Sequence, residues 1–145
     1  MDEGSRAVIF GRDAGTYEDV RPSYPEPAVD HVRSLVDAHI AVEVGAGTGK
    51  ATVEMAREGL EITCLEPSRQ MAAILTAKRL PGVAVVVSTF EEWPGEPAST
   101  DLVYAAQSWH WVDSGTGFAK ALSILRPVQE TEFMVRIGIL GATGY

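Results

Sequence analysis

The sequence predicts a three-layer α/β sandwich on a mainly parallel sheet. Three observations point there. Short apolar, β-branched runs alternate with amphipathic stretches along the whole chain, as strand–helix units do. One run, Ile40 to Val44, ends in three glycines at alternate positions (Gly45, Gly47, Gly49), and a helical pattern starts at once behind them. Another, Val83 to Val87, has no polar alternation, the pattern of a strand covered on both faces.

At 145 residues the chain suits one domain. Its net charge is −8 and its pI about 4.8, so the basic footprint of a nucleic-acid binder is absent. Cys64 is the one cysteine; it cannot form an internal disulfide, and an oxidising compartment is not required. The first ten residues carry early acid and no apolar core, unlike a secretory signal. No apolar run approaches the roughly 18 residues of a membrane span. The expectation is a cytoplasmic protein whose partner is a small molecule, with neither nucleic acid nor membrane involved. Its oligomeric state stays open. No metal is expected: His31 and His39 flank a helical stripe without Cys or carboxylate at ligand spacing.

The elements follow in order. From Phe10 to Pro27 there is no periodicity, and Pro22, Pro25 and Pro27 hold the chain extended. Tyr17 and Tyr24 flank Arg21; they read either as anchors of a packed arm or as a lid over a small-molecule site. A helix is expected over Glu26 to Ala38, with Pro27 in its first turn and Val29, Val32, Leu35 and Val36 as one stripe. Strand 40–44 and the glycine turn lead into a helix from Lys50 to Glu58, stopped by Gly59. Strand 61–65 ends at Glu66-Pro67-Ser68, where Ser68 caps a helix with Met71, Ile74 and Leu75 on its apolar face. Strand 83–87 precedes the loop Thr89 to Pro94. Strand 101–106 precedes Gln107-Ser108-Trp109-His110-Trp111-Val112-Asp113 and a helix with Phe118, Ala121, Leu122 and Leu125 on one face, closed by Arg126-Pro127. Residues 133–140 are apolar and β-branched enough to supply a fifth strand. Right-handed crossovers place strands 1, 2 and 3 to one side of the glycine turn and strand 4 on the other.

The turn admits several readings. A phosphate loop of the form G-x-x-x-x-G-K-[ST] fails at Val44 and at Ala51. A dinucleotide fingerprint, G-x-G-x-x-G, fails because the third glycine comes one residue early; with no hydride-transfer constellation, an NAD-dependent oxidoreductase is the weaker alternative. A ligand-free structural turn also remains. Glu66 lies at a strand end, where ligands bind in open sheets: it can accept both hydroxyls of a ribose, or act as a helix-capping acid. Phe90 and Glu91 can flank an adenine, or form an acidic loop with Phe90 and Trp93 tucked beneath.

The G-x-G-x-G spacing behind Glu43 resembles the first motif of class I S-adenosylmethionine-dependent methyltransferases. The leader, FGRDAGTYEDVRPSYP, and the stretch DLVYAAQSWHWVD…ALSILRP resemble the small-molecule, type 11-like group of that family. The resemblance covers residues 10 to 127. It implies a Rossmann-like sheet and methyl transfer from S-adenosylmethionine to a small-molecule acceptor. It also implies roles. Gly45, Ala46, Gly47 and Gly49 would wrap the methionine part of the cofactor, with Glu43 below the turn near its amino end. Glu66 would hold the ribose, Phe90 and Glu91 the adenine, and Gln107 would lie near the sulfonium. Tyr17, Trp109, His110 and Trp111 would face the substrate. For His110, general base and packing residue are both open.

The likeness departs at Pro127, where two glycines and a fifth strand are expected. Val128 to Phe133 follow instead, and then Met134 to Tyr145 (MVRIGILGATGY), which resemble the opening of an N-acetyl-gamma-glutamyl-phosphate reductase. The expectation is an arm and helix over 1–39, a C-terminally incomplete cofactor-binding core over 40–127, and an atypical tail over 128–145 from another reading frame. That tail lacks the helix and acid a dinucleotide needs. An exposed sheet edge would then favour self-association, and a fragment that holds the cofactor without turnover is the alternative function.

Overall fold

In the computed structural model, which describes residues 26–57 and 59–127 together with the backbone of 137–140, each apolar run has become a strand. The chain runs α1 (Glu26–Leu35), β1 (Ile40–Val44), α2 (Lys50–Ala56), β2 (Glu61–Leu65), α3 (Arg69–Ala77), β3 (Val83–Val86), β4 (Leu102–Ala106), a 3-10 turn (Trp109–Trp111), α4 (Gly117–Ile124) and β5 (Ile137–Leu140). The sheet order is β3-β2-β1-β4-β5, with every pairing parallel. This is the three-layer α/β arrangement that the runs and crossovers predict. The leader with Tyr17, Glu58 and most of the tail lie outside the described residues.

Alternation along each strand sorts side chains to two faces. Ala41, Ile62, Cys64, Leu102 and Tyr104 meet Val29 of α1, Met55 of α2 and Leu75 of α3. Val42, Val44, Leu65, Val103 and Ala105 meet Phe90 and Ala121 and Ile124 of α4. Local signals hold where they were specific. Ser68 Oγ accepts from Met71 N–H as the cap of α3, and Gly59 follows α2 with a positive φ of 72°.

Three expectations are corrected. α1 ends at Leu35 rather than Ala38, its last turn tightened where Val36 N–H donates to Arg33 O. β3 is not covered on both faces: it is the sheet's edge, its side chains are half-buried or exposed, and Val87 lies outside it. A continuous apolar run reports burial only when helices flank both faces, and an edge strand has fewer neighbours. The inward stripe of α4 is Gly117, Ala121 and Ile124, while Phe118 and Leu122 are 47% and 56% exposed. Gly117 decides this rotation. A Cβ there would stand 2.5 Å from Val112 Cγ1, so the bare backbone of α4 packs against the loop before it and turns Phe118 outward.

The sheet is pinned at its opposite, N-terminal end by Asp101. Its Oδ2 accepts the backbone N–H of His39 and of Ile40, both at 3.0 Å, and its Oδ1 accepts Arg126 Nη1 at 3.0 Å. One carboxylate thus ties the starts of β1 and β4 to the chain leaving α4. Burial raises the Asp101 carboxyl, but the two N–H donors and the Arg126 guanidinium outweigh it and hold it below its ordinary value. Asp101→Ala is expected to cost about 1–3 kcal/mol in urea unfolding, because it strands two backbone donors. A lowered carboxyl stabilises above its unfolded pKa, so wild-type stability should fall as pH drops below about 4, and the variant should lose less there. Equal acid sensitivity in both proteins would discount the Asp101 clasp.

Candidate active site

Ligands of open parallel sheets bind at the C-terminal strand ends. Three loops converge there: 45–49 after β1, 66–68 after β2 and 107–113 after β4. The turn is laced to its neighbour because Gly45 N–H and Ala46 N–H both donate to Leu65 O, at 2.8 and 3.0 Å. Gly45 sits at φ 68°, and a Cβ on it would fall 2.5 Å from Ser108 Cβ. No other residue permits that approach. Gly47 differs: a Cβ there would meet only Met71 Sδ, at 3.9 Å. The turn is therefore closed against β4 at Gly45 and open at Gly47. Thr48, between Gly47 and Gly49, is fully buried, and its Oγ1 has no hydrogen-bond partner among the described residues.

Glu66 spans the open side. Its Oε1 accepts Gly47 N–H at 2.9 Å and its Oε2 accepts Ser68 N–H at 2.6 Å. Burial raises its carboxyl, and the two N–H donors oppose that rise. The two readings of Glu66 share this geometry, because each carboxylate oxygen that takes one backbone donor keeps a second lone pair for a hydroxyl.

Glu43 lies beneath the turn and is 1% exposed. Register sets it between Cys64 of β2 and Tyr104 of β4. Its Oε2 accepts the hydroxyls of Thr52 at 2.6 Å and Tyr104 at 2.7 Å. Burial pushes its carboxyl up to about 7 against those hydrogen bonds. Burial and the neighbouring carboxylate also push the Tyr104 hydroxyl and the Cys64 thiol up. Glu43 therefore faces α2 and the core, and it supports the turn from below.

Gln107 adopts φ 60°, a costly conformation for a residue with a Cβ. It is held there because the next residue, Ser108, donates its hydroxyl to Val44 O. Behind it the 3-10 turn carries Trp109, His110 and Trp111. The Trp109 ring lies 5.9 Å from Phe90 and 5.1 Å from Phe118, centroid to centroid. Trp109, His110, Val112, Asp113, Ser114 and Phe118 line an open hollow of about 520 Å³; Trp111 does not line it but stacks obliquely on His110, 4.6 Å away.

The adenine-side expectation divides. Phe90 is 2% exposed, with Trp109 against it and Lys120 Nζ 5.1 Å from its ring centre. It is a core residue and offers no free ring face, which is the tucked reading of this loop. Glu91 is exposed, and its Oε1 accepts Asp113 N–H at 2.7 Å. Lys120 was not legible as a site residue; its Nζ donates to the carbonyls of Phe90, Glu91 and Trp93 and staples the loop after β3 onto α4. Ser108 was missed as well. A lone serine carries no pattern, although a small residue opposite a glycine turn is the signal that could have found it.

Residues 41–128 match the family model described as the methyltransferase domain. The chain belongs to this methyltransferase family. It is 38% identical over 121 residues to an uncharacterized methyltransferase of Mycobacterium tuberculosis, covering 83% of this chain and 49% of that protein. It is 32% identical over 124 residues to CRG1 of Saccharomyces cerevisiae, described as a probable S-adenosylmethionine-dependent methyltransferase, covering 76% of this chain and 40% of that one. Among solved structures, a Thermotoga maritima SAM-dependent methyltransferase, described as a possible histamine N-methyltransferase, superposes with a TM-score of 0.64 at 28% identity, covering 81% of this chain and 56% of that one. The chain spans about half the length of the curated relatives it matches. S-adenosylmethionine, the cofactor of this methyltransferase family, fits the residues present: an open backbone at Gly47, a buried carboxylate with spare lone pairs at Glu66, and an orphaned hydroxyl at Thr48.

Two outcomes are expected here. Gly45→Ala should destabilise by about 1–3 kcal/mol through backbone strain alone, with the Ser108 overlap added. Ser108→Gly in that background should restore part of the loss, a favourable coupling that additive unfolding energies would disprove. Second, a raised carboxyl opposes folding once it ionises, so the Glu43 contribution should be greatest at low pH and decline up to about 7. Glu43→Gln should then flatten thermal stability between about pH 5 and 8, and an unchanged slope would remove Glu43 as its source.

Proposed function

We propose that this chain binds S-adenosylmethionine across the ends of β1, β2 and β4 and directs its methyl group to a small-molecule acceptor beside Trp109 and His110. The observation that carries this reading is Glu66, buried at a strand end and bonded to the N–H of Gly47 at the one open glycine of the turn. Bound there, the cofactor would supply an electrophilic methyl carbon on a sulfonium sulfur. Glu66 accepts the ribose hydroxyls, and the turn's backbone meets the methionine part. Gln107, held in its strained conformation beside the turn, borders the reacting atoms. His110 stands on the acceptor side, where its imidazole receives the proton that some acceptors release. Glu91, tied to Asp113, is the remaining candidate for the adenine amine. Methyl transfer to a good nucleophile depends mainly on such positioning.

The bounds of the cofactor core rest on the family match over 41–128; the arm and the tail are set off from it by their sequence. We place the protein in the cytoplasm on the grounds of its single, buried cysteine. No helix among the described residues is long and apolar enough to cross a membrane. A second reading, binding without turnover, is favoured by one observation: the acceptor hollow is open, walled by a few residues of one loop and α4.

Calorimetric titration with S-adenosylhomocysteine is expected to give one site, with no heat from NAD. Glu66→Ala should weaken binding at least about tenfold, since hydrogen bonds to a charged group contribute about 1.5–3 kcal/mol. Unchanged affinity in that variant, or NAD binding in its place, would overturn the proposal.

A further inference from the structure

The hollow beside the 3-10 turn has a definite chemical character. Its volume of about 520 Å³ is in the small-molecule range. Trp109 and Phe118 form a corner of two rings tilted by 58°, and Phe118 is left 47% exposed. The charge on the lining is one carboxylate, Asp113. Glu91 lies outside the lining, where its Oε1 accepts the Asp113 backbone N–H. Among the described residues no Lys or Arg lines the hollow. Lys120, on the helix beside it, is committed to three backbone carbonyls of the loop after β3.

We infer that this hollow accepts a small organic amine with an apolar body, and that it rejects carboxylates and phosphates. The inference rests on the methyl-transfer reading above and specifies its acceptor. An anion there would face the Asp113 carboxylate with no cation on the lining. An ammonium would gain the Asp113 carboxylate and two aromatic faces. The reaction follows the same sign. The bound ammonium first gives up one proton to solvent; the neutral amine's lone pair then forms the N–C bond as the C–S bond breaks, and the electron pair of that bond leaves with sulfur as a neutral thioether. The positive charge passes from sulfur to nitrogen and leaves as a proton, which His110 on the same wall can take. Asp113 thus stands on the wall where positive charge arrives.

Three probes matched in their apolar body test this: 2-phenylethylamine, 2-phenylethanol and 3-phenylpropionate, titrated at neutral pH with and without S-adenosylhomocysteine. The amine is expected to bind at least about tenfold more tightly than the carboxylate, with the alcohol between them, as a pairing of ring faces and one exposed carboxylate predicts. Asp113→Asn keeps an oxygen for Gly115 N–H, which Asp113 Oδ1 accepts at 2.7 Å. It should weaken the amine roughly three- to tenfold and leave the alcohol unchanged. A carboxylate that binds as well as the amine, or an amine affinity indifferent to Asp113→Asn, would overturn the inference. The homocysteine compound separates the two readings. If it binds while the amine preference is missing, only the acceptor assignment fails. If it does not bind while the preference and its Asp113 dependence persist, the cofactor reading fails and the amine site stands.

Discussion

The close approach of Gly45 to Ser108 is the constraint on which the rest of this structure depends. β1 and β4 are parallel neighbours, and at their C-terminal ends both chains must leave the sheet in the same small volume. They manage it because one residue has no side chain and the other has a short one whose hydroxyl donates to Val44 O. The consequences spread outward. Gln107 is forced to a positive φ. Gly45 and Ala46 turn their N–H groups to Leu65 O, which leaves the next open amide, Gly47 N–H, facing Glu66. The groove at the strand ends is thus the residue of a packing problem solved at Gly45.

Beneath that turn a carboxylate is buried in an otherwise apolar face. A buried charge is costly unless hydrogen-bonded, and Glu43 answers the cost in two ways. Hydroxyls from α2 and β4 both donate to one of its oxygens, and its raised carboxyl keeps part of the population neutral near pH 7. An apolar residue of similar size would fill the space without either expense. What it would not do is tie Thr52, on the helix leaving the turn, to Tyr104, on the strand that closes it. The network fixes the two elements on either side of the turn relative to one another.

Much of the fold could be read in the sequence because its signals are local. Apolar runs marked the strands, Ser68 and Gly59 marked helix ends, and crossover handedness gave the sheet order. The glycine turn and Glu66 could be placed together at the strand ends for the same reason: both are defined by residues close in sequence to a strand end. What the sequence did not show involves partners far apart along the chain. Ser108 meets Val44 across 64 residues, and Asp101 meets His39 across 62; neither a lone serine nor a lone aspartate announces such a contact. β3 and Phe90 failed in complementary ways. An apolar run cannot reveal that it lies at an edge, and an aromatic next to acids cannot reveal that it turns under them. For α4, the face of Phe118, Ala121, Leu122 and Leu125 was the obvious one; Ala121 does turn inward, but Gly117 sets the rotation by contact with Val112 and leaves Phe118 and Leu122 exposed.

The loops after β3 and β4 are also a single mechanical unit. Glu91 holds Asp113 by its backbone, and Lys120 holds three carbonyls of the β3 loop from the helix that follows the acceptor loop. A shift of one loop must drag the other or break a charge-assisted bond. Displacement at a methyl carbon needs nucleophile, carbon and leaving sulfur in line, and a misplacement near 1 Å costs on the order of a hundredfold in rate. In the proposed reading donor and acceptor meet different loops, and that demand is met only if the loops do not move independently. Here the coupling is built from a carboxylate and an ammonium placed outside the hollow. That placement also leaves the lining of the hollow without a cation among the described residues, and in the proposed reading this sets the charge of what can enter.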